Sequence, residues 1–592
     1  MSQSPQLEQP AREATSTPLP DWYPPWAKEL AELYFAGSTS FFILHGNVHD
    51  FVHSPRGPHG AFCSLAEFLA EQVFGQWNIV LSYDLGRGLK AEAGPDAARL
   101  HEMLKAAAPY VGTAGTWPRD VDPALAAVDN LINRVLLAEK PAERPRVGLL
   151  FPHAQYLAPA EAPGTTGRDA SRLVRLLSWA QNPYIKRINL AICLIAERLS
   201  EVNQRLVQNP HVATIEIPLP DASLRQTYLA SHIGDDAATP DGLTVEGLAQ
   251  LSGGLNLVNL SVALSRSGDS GRRLDVPRFR KLKKGMIERQ CRDLVTFVEP
   301  SHNLDMVVGH EAAKERLRLD AKWIGEGRLD AAPMGYLVCG PVGTGKTFLA
   351  ECYAGAIGIP CLVLRNFRSK FVGETEGNLE QVLTVLRSLG PVVVIVDEAD
   401  AALGNRSMEG DSGTSNRVFS MIASQMGDTK YRGRIVWMLL TSRPDMLPID
   451  LKRQGRAEVH IPLFYPQEKA EIGEMLRVMA AKNKIRLADG ALPEIDPQRQ
   501  LSGADLESII LGARRRALAS GRETVQRGDV ETSLASFIPS AQGLEKEIQE
   551  LVAVIECTDR EFLTPKWREA IDAPDGRLKL QQRLAAMRAM VD

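Results

Sequence analysis

The sequence predicts an α/β protein, built on parallel sheets flanked by helices, and three observations carry that prediction. An apolar run, Tyr336 to Val338, leads into the glycine loop Gly340-Pro341-Val342-Gly343-Thr344-Gly345-Lys346-Thr347 and then a helix-like segment, Phe348 to Ala356. That order of strand, loop and helix is the context a phosphate-binding P-loop needs. A second apolar, β-branched run, Val392-Val393-Val394-Ile395-Val396, closes on Asp397 and Glu398, as a central parallel strand ending at a ligand site would. Strand and helix patterns also alternate along both halves of the chain, the arrangement that builds a parallel sheet.

At 592 residues the chain is too long for a single core, and its length suggests roughly three or four domains. Its net charge of −4 supplies no global field toward nucleic acid or anionic membrane. Seven cysteines are scattered at 63, 193, 291, 339, 352, 361 and 557 without a C-x-x-C pair. They read as reduced thiols of a cytosolic protein, not a disulfide framework or a zinc site. No apolar run approaches the roughly 18 residues of a membrane span, and no signal peptide is legible. The expected location is cytoplasmic.

In chain order, residues 1–25 are rich in Ser, Gln, Pro and Glu and are expected to be disordered. An amphipathic helix follows from about Trp26 to Phe35, then a buried strand, Phe41 to Leu44, ending at His45-Gly46-Asn47. Further strands are expected at Asn78–Leu85, Val147–Phe151 and Ile188–Ala196, with helices near 97–108, 123–138 and 168–180. The second half repeats part of this order. Asn189–Ala196, Ile215–Pro220 and Ser252-Gly253-Gly254-Leu255 have counterparts in Ile435–Leu440, His460–Phe464 and Ser502-Gly503-Ala504-Asp505. A duplication explains this better than chance likeness between two α/β domains. The first copy has lost the chemistry: His45-Gly46-Asn47-Val48-His49 stands where a P-loop belongs, and Pro152-His153-Ala154 where acids belong.

His45, His49 and His53 recur every four residues. On a helix they would line one face and suit a metal, but the stretch reads as a strand end running into a loop. From Arg266 to Asp293 the chain carries ten Lys/Arg against four Asp/Glu. A nucleic-acid contact is one reading, and a solvated helix and linker is the preferred one.

The P-loop residues define the chemistry. Glycines let the backbone turn its N–H groups toward an anion, and the following helix adds its positive end. Lys346 would reach the β- and γ-phosphates of ATP, and the Thr347 hydroxyl would ligate Mg²⁺. Asp397 would hold the same Mg²⁺, directly or through water, and Glu398 would polarise the attacking water.

With these motifs stand Ser369-Lys370-Phe371-Val372-Gly373-Glu374, Asp397-Glu398-Ala399-Asp400, Thr441-Ser442-Arg443-Pro444-Asp445, Arg453-Gln454-Gly455-Arg456 and Ser502-Gly503-Ala504-Asp505. In that order they resemble an AAA ATPase in the narrow sense of the AAA+ class, the group of proteasomal ATPases, FtsH-type proteases, microtubule-severing enzymes and sporulation-protein-VK-like ATPases. The resemblance covers about 300–535, and the first half resembles the same fold only weakly. It implies a small helical lid and a ring, usually a homo-hexamer, with ATP between subunits. It makes Arg453 and Arg456 arginine fingers acting on the neighbour's γ-phosphate, which such a group accelerates by about 10³–10⁵. Ser442 takes the sensor position, usually Asn, and Thr441 is a candidate to share that role. Gly503 and Ala504 match the lid segment near the adenine, and Val307-Val308-Gly309-His310 the linker near the base. Lys370-Phe371-Val372-Gly373 match a pore loop whose aromatic grips extended polypeptide; a core phenylalanine at a strand end is the alternative. Asn405–Gly413 is a candidate second pore loop.

The implied organisation is a tail at 1–25, a degenerate AAA-like domain without a P-loop at 26–265, and a linker at 266–335. An AAA+ large ATPase domain at 336–465, a lid at 466–540 and a C-terminal helical extension at 541–592 complete it. The function expected is an ATP-hydrolysing, Mg²⁺-dependent machine that remodels or unfolds protein. The rivals are a slow ATP-dependent switch or scaffold and a nucleic-acid-directed motor, the latter disfavoured by the overall acidity and Phe371. No H-E-x-x-H occurs, so proteolysis would need a partner. Substrate, ring size and the role of the tail helices, near 544–556 and 577–590, are not legible.

Overall fold

The computed structural model describes residues 19–55, 61–138, 140, 144–160, 167–233, 244–267, 276–291, 294–299, 302–365, 372–403, 412–538 and 543–590. Lys370, Phe371 and most of the 405–413 stretch lie outside them, as does much of the basic stretch after Arg266. The chain divides into two units, Met1–Ile287 and Glu288–Asp592.

The first unit contains β1 (Phe41–Gly46), β2 (Phe51–His53), β3 (Phe62–Ser64), β4 (Ile79–Asp84), β5 (Gly88–Ala91), β6 (Val147–Phe151), β7 (Leu190–Ala196) and β8 (Val212–Ile217). Six of these form one sheet in the order β5-β4-β6-β7-β1-β8. All pairings are parallel except β4 with β5. Successive side chains point to opposite faces of a strand, and both faces are covered. Phe41, Ile43, Leu149 and Ile192 enter one core, with Leu125, Val128 and Trp179 from flanking helices. Phe42, Leu44, Leu150 and Cys193 enter the other, with Trp26, Leu30 and Phe68. Burial on both faces is why these strands read as unbroken apolar runs. Trp22 and Tyr23, at the end of the stretch expected to be disordered, pack against Phe68.

The second unit contains β9 (Val295–Phe297), β10 (Gly335–Cys339), β11 (Cys361–Leu364), β12 (Val392–Val396), β13 (Ile435–Thr441), β14 (Val459–Pro462), β15 (Arg486–Leu487) and β16 (Thr524–Val525). The main sheet runs β14-β10-β13-β12-β11-β9, parallel throughout except for β9 against β11. Within the segment expected to be a linker, β9 closes this sheet and the helix Glu311–Gly325 packs on its core through Leu317 and Ile324.

Strand for strand, the two sheets share one order. β1 takes the place of β10, β4 of β11, β6 of β12, β7 of β13 and β8 of β14. They differ at the far edge, which β5 closes as a hairpin from inside the first sheet and β9 closes from upstream in the second.

After β14 the helices Lys469–Lys482, Gly503–Ala519 and Arg527–Ser536 share a core of Leu476, Leu506, Ile510, Ala513 and Val530. Beyond them Leu544–Glu556, Pro565–Asp572 and Gly576–Arg588 form another, around Leu551, Val552, Trp567 and Leu584, which also takes in Phe464 just after β14. Among the described residues, no helix is long and apolar enough to cross a membrane.

Candidate active site

Three strand ends converge on one cavity of about 980 Å³ in the second unit. β10, wholly buried, delivers the glycine loop; β12 delivers Asp397 and Glu398; β13 delivers Thr441 and Ser442. Ligands of open parallel sheets bind beyond the carboxyl ends of the strands, and all three stretches lie there.

The loop residues Val342, Gly343, Thr344, Gly345, Lys346 and Thr347 line the cavity. Gly345 (φ 89°) caps the helix Lys346–Ile357, whose N-terminus opens on the same space. Gly343 is obligatory on two counts. Its φ is +82°, and a Cβ there would lie 2.7 Å from Ser502 Cβ and Oγ. Gly340, at φ +142°, would put a Cβ 2.3 Å from the Leu463 carbonyl oxygen. The Pro341 carbonyl accepts from the Thr344 hydroxyl at 2.9 Å. Lys346 Nζ donates to the carbonyls of Gly340 (2.8 Å) and Pro341 (3.0 Å). Burial pulls its pKa down to about 8, opposed by Cys339, Asp397 and Asp400.

Fifty residues apart in the chain, Thr347 Oγ1 donates to Asp397 Oδ2 at 2.8 Å. A hydroxyl and a carboxylate on adjacent elements are hard oxygen donors. They suit Mg²⁺, which keeps most of its waters and takes few protein ligands. Glu398 follows at φ 48°, a left-handed conformation uncommon outside glycine, and its N–H donates to Asp397 Oδ1 at 2.8 Å. Backbone strain of this kind clusters at functional sites.

The sensor segment departs from expectation in one respect. The Thr441 hydroxyl donates to Asp400 Oδ1 (2.6 Å) and accepts the Arg443 N–H (2.9 Å). That engagement leaves Ser442, which also lines the cavity, as the better-placed hydroxyl. The lid closes the other wall: Gly503, Ala504, Glu507, Met475 and Met479 line the cavity, and Gly503 N–H donates to the Gly343 carbonyl at 3.0 Å. Val307, Val308, Gly309 and His310 also line it, and burial lowers the His310 pKa.

Arg453 and Arg456 do not line this cavity. Arg453 is exposed, with Nε 3.5 Å from Asp450 Oδ1. Arg456 is mostly buried and donates from Nη1 to the Asp450 carbonyl at 2.8 Å. Of the pore-loop candidates, Val372 and Gly373 begin the helix Val372–Ser388; Lys370 and Phe371 lie outside the described residues.

Residues that sequence reasoning missed sit around the loop. Tyr465 hydroxyl donates to the Val342 carbonyl (3.0 Å), and Gln549 Oε1 accepts the Val342 N–H (3.0 Å). A glutamine more than two hundred residues downstream carries no sequence signal for this contact.

The first unit places different chemistry at its strand ends. His45 is the penultimate residue of β1, His49 lies in the loop beyond it and His53 ends β2, so the three share no helix face. His49 Nε2 lies 3.0 Å from Glu197 Oε1, and its ring 5.4 Å from that of His153. His153 sits two residues past β6, as Glu398 does past β12, and has the same left-handed backbone (φ 57°). Asp50 is buried, and its carboxylate accepts the N–H groups of Leu257 and Val258, both at 3.0 Å. Among the described residues, no group of three or more His, Cys, Asp or Glu is placed to hold a metal ion.

A glycine loop on a parallel strand, an acid-ended strand one place removed across β13, and a helical lid define a P-loop module of the AAA kind. Comparison with known proteins extends this. Residues 336–465 match the family model "ATPase family associated with various cellular activities (AAA)". Residues 12–218 match "AAA+ chaperone, N-terminal Rossmann-like domain", and 223–292 "AAA+ chaperone, second helical domain". The chain belongs to the AAA+ ATPases. It is similar to Protein SAV of Sulfolobus acidocaldarius, 28% identical over 52% of this chain and 43% of that protein. A cell division cycle protein 48 homolog of Archaeoglobus fulgidus is 26% identical over 53% of this chain and 46% of the relative. The ATP-dependent zinc metalloprotease FtsH 2 of Salinibacter ruber is 28% identical over 39% and 35%. The matches thus span less than half of each of these relatives.

Proposed function

We propose that the second unit hydrolyses Mg·ATP and that the chain works as a protein-remodelling ATPase. The observation that carries this is the 2.8 Å contact between Thr347 and Asp397 beside Lys346. Two distant sequence motifs meet there at the mouth of a cavity walled by a lid. Bound Mg²⁺ would neutralise phosphate charge at that pair. Lys346 would leave its own loop carbonyls for the phosphates, Glu398 would accept the proton of the attacking water, and Ser442 would orient that water. Gly503 and Ala504 would close on the nucleotide.

The place of Arg453 and Arg456 outside their own cavity supports a role in trans, on a neighbour's ATP in a homo-hexameric ring. The pore-loop motif Lys370-Phe371-Val372-Gly373 supports polypeptide as the substrate. The kinship with an FtsH-named protease and a cell division cycle 48 homolog supports remodelling in general terms. For the first unit we propose a scaffold role: its sheet has the shared strand order, with His49 in the loop after β1 where a lysine would be needed and His153 after β6 where carboxylates would be.

The test is the mass in solution of Glu398→Gln, with and without ATP, beside its ATP turnover. Retained binding, lost turnover and an ATP-dependent shift to about six subunits are the expected results. A chain that binds ATP yet stays monomeric or dimeric would overturn the ring and leave a slow switch. Turnover at the wild-type level would overturn the role of Glu398.

A further inference from the structure

The segment after residue 543 reaches the phosphate loop at one place and the cavity wall at another. Gln549, on the helix Leu544–Glu556 and only 5% exposed, accepts the Val342 N–H, while Tyr465 holds the carbonyl of the same residue. Lys546, one turn earlier on that helix, lies over the Tyr465 ring, 5.2 Å from its centroid. Both peptide groups of Val342 are therefore fixed from outside the loop, immediately before the run Gly343–Thr347 that lines the cavity. The same helix is anchored at its far end, where Glu556 accepts from Lys452 Nζ at 2.6 Å.

The second place is the turn Arg560–Phe562 and the residues after it. Glu561, Phe562, Leu563, Thr564 and Arg568 line the cavity together with Val307–His310. The Arg568 guanidinium holds that turn by three carbonyls: Nε to Arg560 (3.0 Å) and Leu563 (2.9 Å), and Nη2 to Glu561 (2.7 Å). Phe562, 8% exposed, packs in one core with Leu304, Val307 and Ala313. Three charge-assisted hydrogen bonds from one side chain to the carbonyls of one turn fix its shape.

We propose that the C-terminal extension is a component of the nucleotide site, resting on the reading that this cavity takes ATP. Gln549 is a positioning residue for the phosphate loop, and the turn clamped by Arg568 is the wall of the base end. The extension thereby sets nucleotide affinity from within the same chain.

The experiment measures equilibrium binding of ATP and of inorganic tripolyphosphate, each with Mg²⁺, to the full-length chain, Gln549→Met and Arg568→Ala. Methionine keeps the length of glutamine and replaces its amide acceptor with a weak thioether. Gln549→Met should weaken both ligands by roughly 2- to 10-fold, the scale of one lost neutral hydrogen bond. Arg568→Ala should weaken ATP by a similar factor and leave tripolyphosphate unchanged. Should Arg568→Ala fail to fold, Arg568→Lys, which loses the fork but keeps the charge, takes its place with the same expectation. Wild-type affinity in both variants would overturn the proposal, and equal loss of both ligands in the Arg568 variant would overturn the base wall. Failure of the wild-type chain to bind ATP would instead overturn the function proposed above.

Discussion

Replacing Gly343 by alanine tests how the lid and the phosphate loop are coupled. The substitution acts twice. A left-handed φ of +82° costs an L-residue about 1–2 kcal/mol. The new Cβ would also lie 2.7 Å from Ser502 Cβ and Oγ, against about 3.5–4.0 Å for a comfortable contact. The lid must retreat by roughly 1 Å, which forfeits the 3.0 Å hydrogen bond from Gly503 N–H to Gly343, worth about 1 kcal/mol. Where the unliganded variant relaxes by opening the lid and ATP must close it again, these together come to about 2–3 kcal/mol, or up to roughly 30- to 150-fold in ATP affinity. Ser502→Gly removes both contacting atoms. Its hydroxyl caps the lid helix by accepting the Asp505 N–H at 3.1 Å, and Ser to Gly at such a cap costs only a few tenths of a kcal/mol. The double variant Gly343→Ala/Ser502→Gly should therefore recover about 5- to 10-fold of the loss, leaving the backbone strain. Titration of all four chains with a fluorescent ATP analogue measures the cycle. Additive losses, with no recovery in the double variant, would refute the reasoning.

Other perturbations follow from the same geometry. If Arg456 acts in trans, Arg456→Ala and Lys346→Ala chains should each be inactive alone and regain turnover when mixed; inactivity of every mixture would sink the assignment. In the first unit, Asp50→Ala strands the N–H groups of Leu257 and Val258. It should cost about 1–2 kcal/mol and raise hydrogen exchange in 257–267, with Asp50→Asn milder; unchanged exchange would count against the cap. Burial, reinforced by Arg225 and Arg280, holds the Lys283 pKa down to about 8. The unfolded chain keeps that lysine charged to about 10.4, so it binds more protons than the folded one above pH 8. Stability of the first unit should then rise between pH 8 and 9.5, and Lys283→Met should flatten the rise. A thermal midpoint that falls over this window in the wild type alone would refute it.

Much of the fold was legible because it is written locally. Val392–Val396 is a run of β-branched residues buried on both faces, and Phe41–Leu44 alternates between two cores; such runs need no distant partner to be recognised. The short strands β5 and β9 were missed, since three or four residues carry little periodicity and their pairing is decided by what edge the sheet leaves open. The helix Pro565–Asp572 was missed for the same reason of length. The repeat of β7 and β8 in β13 and β14 was visible, but the shared order of five strands appears only once non-local pairing is known.

The sequence by itself determined the chemistry of each strand end: a glycine loop with Lys346 and Thr347, two acids after β12, a hydroxyl pair where β13 ends. Spacing along one chain expresses such motifs fully, because each depends on a few consecutive residues. The tertiary structure decided what those ends meet. It brought Thr347 to Asp397, engaged Thr441 with Asp400 so that Ser442 is better placed, kept Arg453 and Arg456 outside their own cavity, and set Gln549 against the phosphate loop. These are contacts between residues tens to hundreds of positions apart. They are selected by how helices and strands pack, a free energy shared across the whole core, and no local pattern records it.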